Sequence, residues 1–174
     1  MVENTGGLDL TGVTLVDDLD DQFSDAFVGV SNLTVQVPPP ATSSVMLNGT
    51  FNGDAQTGLV NPLGTSLSVG DSFTLRYTVE IDFTEASNVL TNTVGAVGTP
   101  VDELGNSFVD SAGMTITVTD DSDSGADPGG TNPGEDGDMG TSDDPTPVLL
   151  PLVGLAKSAG TCLLYTSPSP RDRG

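Results

Sequence analysis

Residues 73–83 constrain this chain more than any other stretch. Phe73, Leu75, Tyr77, Val79, Ile81 and Phe83 share one parity, and Thr74, Arg76, Thr78, Glu80 and Asp82 share the other. Strict period-two alternation marks a strand with one dry and one wet face. No helix can bury this set, because residues i and i+2 point to opposite sides of a helix. The dry face needs a second sheet over it, so the expected fold is a β-sandwich.

The rest of the chain supplies further strands. Leu8, Leu10, Val13 and Leu15 read as a strand whose parity shifts at Gly12, as at a bulge. Asp17-Asp18-Leu19-Asp20-Asp21 reads as an acidic turn, either solvated with Asx turns or a cation site. Phe23 and Phe27 are expected to plug one end of the core. Leu33, Val35 and Val37 alternate with polar residues until Pro38-Pro39-Pro40, where proline cannot donate to a ladder. Residues 45–51 and 59–63 read as weaker strands. Leu67-Ser68-Val69-Gly70-Asp71 reads as a tight corner, with an apolar pin followed by a glycine at positive φ. Residues 88–97 read as one strand, 101–106 as a hairpin loop, and 107–118 as a closing strand with Met114, Ile116 and Val118 facing in. About seven turn-linked strands with no credible helix predict an immunoglobulin-like β-sandwich over residues 1–118.

Residues 119–147 change character. They hold nine acids, no base, and Met139 as the one sizeable apolar side chain, the composition of a disordered acidic linker. Residues 148–161 return to strand-like composition. At the start, Val2-Glu3-Asn4-Thr5-Gly6-Gly7 reads as the end of a strand and its turn, with neither the basic start nor the apolar run of a signal peptide. The expectation is a piece of a longer chain, its first strand missing and an edge left unpaired. A flexible linker of 29 residues reaches about 30 Å, enough for residues 148–158 to fold back into that vacancy. The final string, residues 162–174, differs in style and carries the only cysteine, Cys162. It resembles the translation of a transposon-end sequencing adapter, and it is set aside from the fold reasoning.

The charge and the missing residue types exclude whole classes of function. Acids number 25 against 4 bases, a formal charge of -21. That sign repels nucleic acid and anionic membranes. With no histidine, a His-based triad, a His-ligated zinc and a His acid/base pair are ruled out. One cysteine cannot close a disulfide within the chain. The longest apolar run, residues 148–156, is too short to span a bilayer. Residues 1–156 contain no lysine, which rules out a Lys–Asn isopeptide bond in the main domain. Paired acids can hydrolyse glycosides, but that also needs a cleft with aromatic platforms. The few aromatics here sit mostly on inward parity, so the reading is non-enzymatic.

The order of parts resembles the DUF11-type repeats, modules strung in tandem on large bacterial surface proteins. The likeness rests on Val2-Glu3-Asn4-Thr5-Gly6, on Leu8-x-Leu10-Thr11-Gly12-Val13-Thr14-Leu15-x-Asp17, on Val69-Gly70-Asp71 before Tyr77-x-Val79, and on Leu90-Thr91-Asn92-Thr93. Leu155-Ala156-Lys157-Ser158-Ala159-Gly160 resembles the opening of a following repeat. The resemblance implies an immunoglobulin-like fold, neighbouring repeats of the same chain as partners, and an extracellular or cell-surface location.

The functional expectation is therefore a non-catalytic spacer repeat of a bacterial surface or secreted adhesin-like protein. Two alternatives stay open. One is a calcium-stiffened module that binds extracellular glycan or protein; the other is an accessory domain of an exported hydrolase. Calcium favours several hard oxygen ligands. The candidate ligands are Asp17, Asp18 and Asp20 in the first acidic turn, and Asp121, Asp123, Asp127, Asp136 and Asp138 in the linker. Neither linker motif is complete: Gly125 stands at position five of the first, and Asn132 where an EF-hand needs Glu.

Overall fold

The computed structural model describes residues 1–85, 90–122 and 146–148. In chain order the elements are β1 (Val2–Glu3), β2 (Asp9–Val16), α1 (Leu19–Phe23), β3 (Phe27–Val37), β4 (Ser66–Leu67), β5 (Ser72–Ile81), β6 (Leu90–Asn92), β7 (Gly95–Val101), β8 (Val118–Asp121) and β9 (Thr146–Val148). They form a three-stranded sheet β1-β5-β3, a four-stranded sheet β4-β2-β7-β8, and a small β6-β9 pair, all antiparallel. The two larger sheets pack face to face as an all-β sandwich.

Strand β5 carries out its pattern as far as Ile81; Phe83, read as the last member of the dry row, lies beyond the strand and is exposed. Phe73 is fully buried, Leu75, Tyr77, Val79 and Ile81 are half-buried, and Arg76, Thr78 and Glu80 are exposed. Its dry face lies over Val13 and Leu15 of β2 and Leu67 of β4, with Leu59 and Val60 completing the main core. A second cluster of Leu19, Phe23, Ala26 and Leu90 closes one end, joined by Phe27. Phe51 and Tyr77 touch both clusters, edge to face with ring centroids 5.5 Å apart. Edge-to-face is the arrangement that the ring quadrupoles favour.

Several local readings hold. Gly12 sits at φ 61, and the β2–β7 register slips between Thr11 and Thr14. At the 67–71 corner Leu67 is buried and Gly70 adopts φ 74. In the 101–106 loop the Asp102 carboxylate accepts from the backbone N–H groups of Leu104 and Asn106. Strand β3 ends at Val37, ahead of the three prolines. It also begins earlier than the alternation indicated, at Phe27. Asn32 takes up a bulge there at φ 58, in the left-handed region that asparagine tolerates.

Other readings are corrected. The 17–21 stretch is not a turn, and the expectation of no helix fails: α1 forms there. Asp18 caps its first turn, and Leu19 and Phe23, four residues apart, share one inward face. The single strand expected over 88–97 is two, β6 and β7. The side-chain amide of Gln22 takes both backbone groups of Thr93 between them, its Nε2 donating to the carbonyl and its Oε1 accepting the N–H. Residues 45–51 make one isolated bridge, Leu47 to Val60. Asn48 turns the chain away from a ladder by donating to the Gly58 carbonyl and accepting from Thr50.

Residues 59–63 split into a buried Leu59-Val60 pair and a 3₁₀ turn, Pro62–Gly64, that leaves Leu63 in solvent. Residues 107–117 form a loose hairpin with a tight turn at Asp110, and only Val118–Asp121 is a ladder strand. Met114, Ile116 and Val118 do not face in; all three are exposed. Alternation supplies two faces but does not guarantee that a second sheet lies over either one. Strand β8 runs through residue 118 to Asp121, and β9 pairs against β6 from Thr146 and Pro147, inside the expected linker, to Val148, the first residue of the 148–158 segment. Residues 149–158 lie outside the described residues.

Phe73→Ala should cost about 3–5 kcal/mol of stability, because it empties the centre of the core. Phe83→Ala, at a 57% exposed position, should cost within about 0.5 kcal/mol. Urea denaturation of both variants checks the contrast.

Candidate functional site

Where β2 gives way to α1, the chain turns Asp17 inward. Its side chain is 1% exposed, and its backbone N–H donates to the Thr57 carbonyl at 2.9 Å. A carboxylate taken from water needs donors, and three neutral ones converge on it. The Tyr77 hydroxyl donates to Oδ2. Asn92 Nδ2 donates to the same oxygen at 3.3 Å, and Gln22 Nε2 donates to Oδ1 at 3.1 Å. These donors come from β5, β6 and α1, so one acid ties four elements together.

Among the described residues no cation answers this charge. Arg76, the one Lys or Arg among the described residues, stands on the exposed face of β5. Burial pushes the Asp17 carboxyl above its ordinary value; the three hydrogen bonds pull it back, and the neighbouring Asp18 charge adds to the rise. Tyr77 is pushed far up as well, by burial first and then by the Asp17 charge and the bond to it. The phenol therefore remains a donor throughout the working pH range. Asn92 Oδ1 is buried without a hydrogen-bond partner among the described residues.

Beside this network the two sheets part. A groove of about 560 Å³ opens between them, its walls including Leu10, Val13, Leu15, Leu75, Tyr77 and Ala96. Asn92 and Thr146 also line it.

The acidic residues singled out from the sequence are scattered. Asp17 points into the protein, Asp18 accepts from the Asp21 N–H as a helix cap, and Asp20 is exposed. Asp121 ends β8 opposite Gly95. Asp123, Asp127, Asp136 and Asp138 lie outside the described residues. Among the described residues no three acidic side chains gather as a group that could hold a metal ion. Reading the sequence for carboxylate clusters missed Gln22, the Tyr77 hydroxyl and Asn92. The available signal was Tyr77 itself, a phenol on a dry face, which must find a partner when buried.

Two outcomes follow from the network. Tyr77→Phe leaves the Asp17 oxygen short of a donor and should destabilise by about 1–3 kcal/mol, measured by denaturation at neutral pH. The pH effect has a definite sign. A carboxyl whose folded pKa lies above its unfolded value binds more protons in the folded state, so its contribution to stability falls as pH rises through that window. On lowering the pH from 7 toward 4, the stability difference between wild type and Asp17→Asn should therefore shift in favour of wild type. A difference that stays constant across that range would refute the raised carboxyl.

Compared with known protein families, curated proteins and solved structures, the chain matches none of them.

Proposed function

We propose that this chain is a structural spacer repeat of the DUF11 type, from a bacterial surface or secreted adhesin-like protein. On this reading it is non-catalytic, and it holds a distal domain away from the cell. One observation carries the proposal: six of the acids, Asp17, Asp18, Asp71, Asp82, Asp102 and Asp110, are committed to architecture. Asp17 ties the sandwich together and Asp18 caps α1. Asp71 accepts from the hydroxyls of Thr42 and Ser43 across the 67–71 corner. Asp82, Asp102 and Asp110 each close a turn on their own following residues. A surface organised this way keeps the module apart from other polyanions and holds its loops in shape. No helix among the described residues is long and apolar enough to cross a membrane.

Calcium titration by calorimetry tests the reading. A spacer should show no saturable binding tighter than about millimolar, the range of weak extracellular sites. Micromolar saturable binding, with a matching rise in melting temperature, would favour a calcium-stiffened binding module instead.

A further inference from the structure

The chain carries two Asn–Gly pairs close together, Asn48-Gly49 and Asn52-Gly53. Such pairs are ordinary turn chemistry, because both residues tolerate the backbone that turns need. They also carry a latent reaction. A glycine N–H that loses its proton can attack the side-chain Cγ of the asparagine before it, since the glycine has no Cβ to block the approach. The two pairs are identical in sequence and differ in their surroundings.

Their electrophiles are matched. Asn48 Oδ1 accepts from the Thr50 N–H at 3.1 Å and from the Thr50 hydroxyl at 2.7 Å. Asn52 Oδ1 accepts from the Asp54 N–H at 3.2 Å and from the Gln56 N–H at 2.8 Å. Two donors on the oxygen where charge develops favour attack at either amide. Their nucleophiles are not matched. The Gly53 N–H donates to the Gln56 carbonyl at 3.2 Å, and the Gly53 carbonyl accepts from the Asp20 N–H at 2.9 Å. Gly53 is buried at φ 73, where an added Cβ would stand 2.8 Å from Leu19 Cδ1 and 3.0 Å from Phe27 Cζ. Backbone held on so many sides cannot swing its nitrogen onto the side chain. Gly49 is exposed, and its N–H has no acceptor among the described residues. Nothing lies within 4 Å of where its Cβ would stand, and its φ is outside the left-handed region. Conformation and packing both call for glycine at position 53, and neither calls for it at 49.

We propose that Asn48-Gly49 is a site of spontaneous covalent modification through a succinimide, and that the fold protects Asn52-Gly53 from the same reaction. Hydroxide takes the Gly49 amide proton, and the nitrogen bonds to Asn48 Cγ as the carbonyl electron pair moves to Oδ1. The pair returns, the Cγ–Nδ2 bond breaks, and ammonia leaves with a proton from water. Water then opens the ring at Cγ to give aspartate, or at the main-chain carbonyl to give isoaspartate. No redox partner is needed. The change matters to the fold because Asn48 Nδ2 donates to the Gly58 carbonyl at 2.8 Å, next to the core residues Leu59 and Val60. An acid at position 48 removes that donor and sets a carboxylate against the carbonyl, so the loop loosens from the sandwich. This inference goes beyond the spacer reading and does not depend on it.

Peptide mapping by mass spectrometry tests it, following the amide-to-acid exchange in the full chain incubated under native conditions at neutral and mildly alkaline pH. Position 48 should convert at least about tenfold faster than position 52, and faster as the pH rises. In concentrated urea the two rates should draw together, because the fold no longer separates them. Gly49→Ala should suppress conversion at position 48; the open space and ordinary φ there allow that variant to fold. Failure of position 48 to convert, equal native rates at the two positions, or an undiminished rate in Gly49→Ala would overturn the proposal. Asn48→Asp reproduces one product and should melt about 3 °C or more below wild type. Equal melting temperatures would overturn the consequence assigned to the fold.

Discussion

The dry face of β5 is the constraint from which the rest of the molecule follows. Phe73 is completely buried, and Leu75 and Tyr77 continue the same row. Exposed to water, that row would forfeit about 1.5–3 kcal/mol for each large side chain. β2 with β4 covers most of it through Val13, Leu15 and Leu67, and α1 covers the end near Val79 and Ile81 through Leu19 and Phe23. The Gly12 bulge belongs to the same problem. It shifts parity so that Leu10 and then Val13 and Leu15 can all serve the core from one strand.

The buried carboxylate works differently from the apolar core. Oil-like contacts are tolerant of small slips, whereas Asp17 accepts from a phenol, a glutamine and an asparagine that must all be in place. A slip of one residue in β5 would turn Tyr77 to the wet face and leave the acid without that donor. The desolvation that raises the Asp17 carboxyl is the cost of this specificity. Gln22 extends the same network, because holding Thr93 by its backbone fixes where β6 ends and β7 begins.

The surface acids behave in the opposite way. The carboxyls of Asp71, Asp82 and Asp102 lie below the ordinary aspartate value, because hydroxyl, amide and backbone donors favour the charged form. Their contributions are present above the unfolded aspartate value and are lost as pH falls through their folded values. Asp17 has the reverse sign. The module thus holds one acid that resists ionisation and several that welcome it, and burial is what separates them.

What the residues determined alone was everything with a short period or a special backbone. The alternation of β5, the bulge at Gly12, the corner at Gly70 and the stop before Pro38 depend on neighbours within a few positions. The expectation of a sandwich followed from these, because a dry strand face demands a cover. The partners across that gap were decided in three dimensions. Asp17 and Asp18 are adjacent and chemically identical, yet one is buried and the other caps a helix in solvent. Met114, Ile116 and Val118 alternate as cleanly as a core strand, yet they are exposed because no sheet of the described residues lies over their hairpin. Local pattern states which side of a strand is apolar; only packing over long sequence separations decides whether that side is covered, and by what.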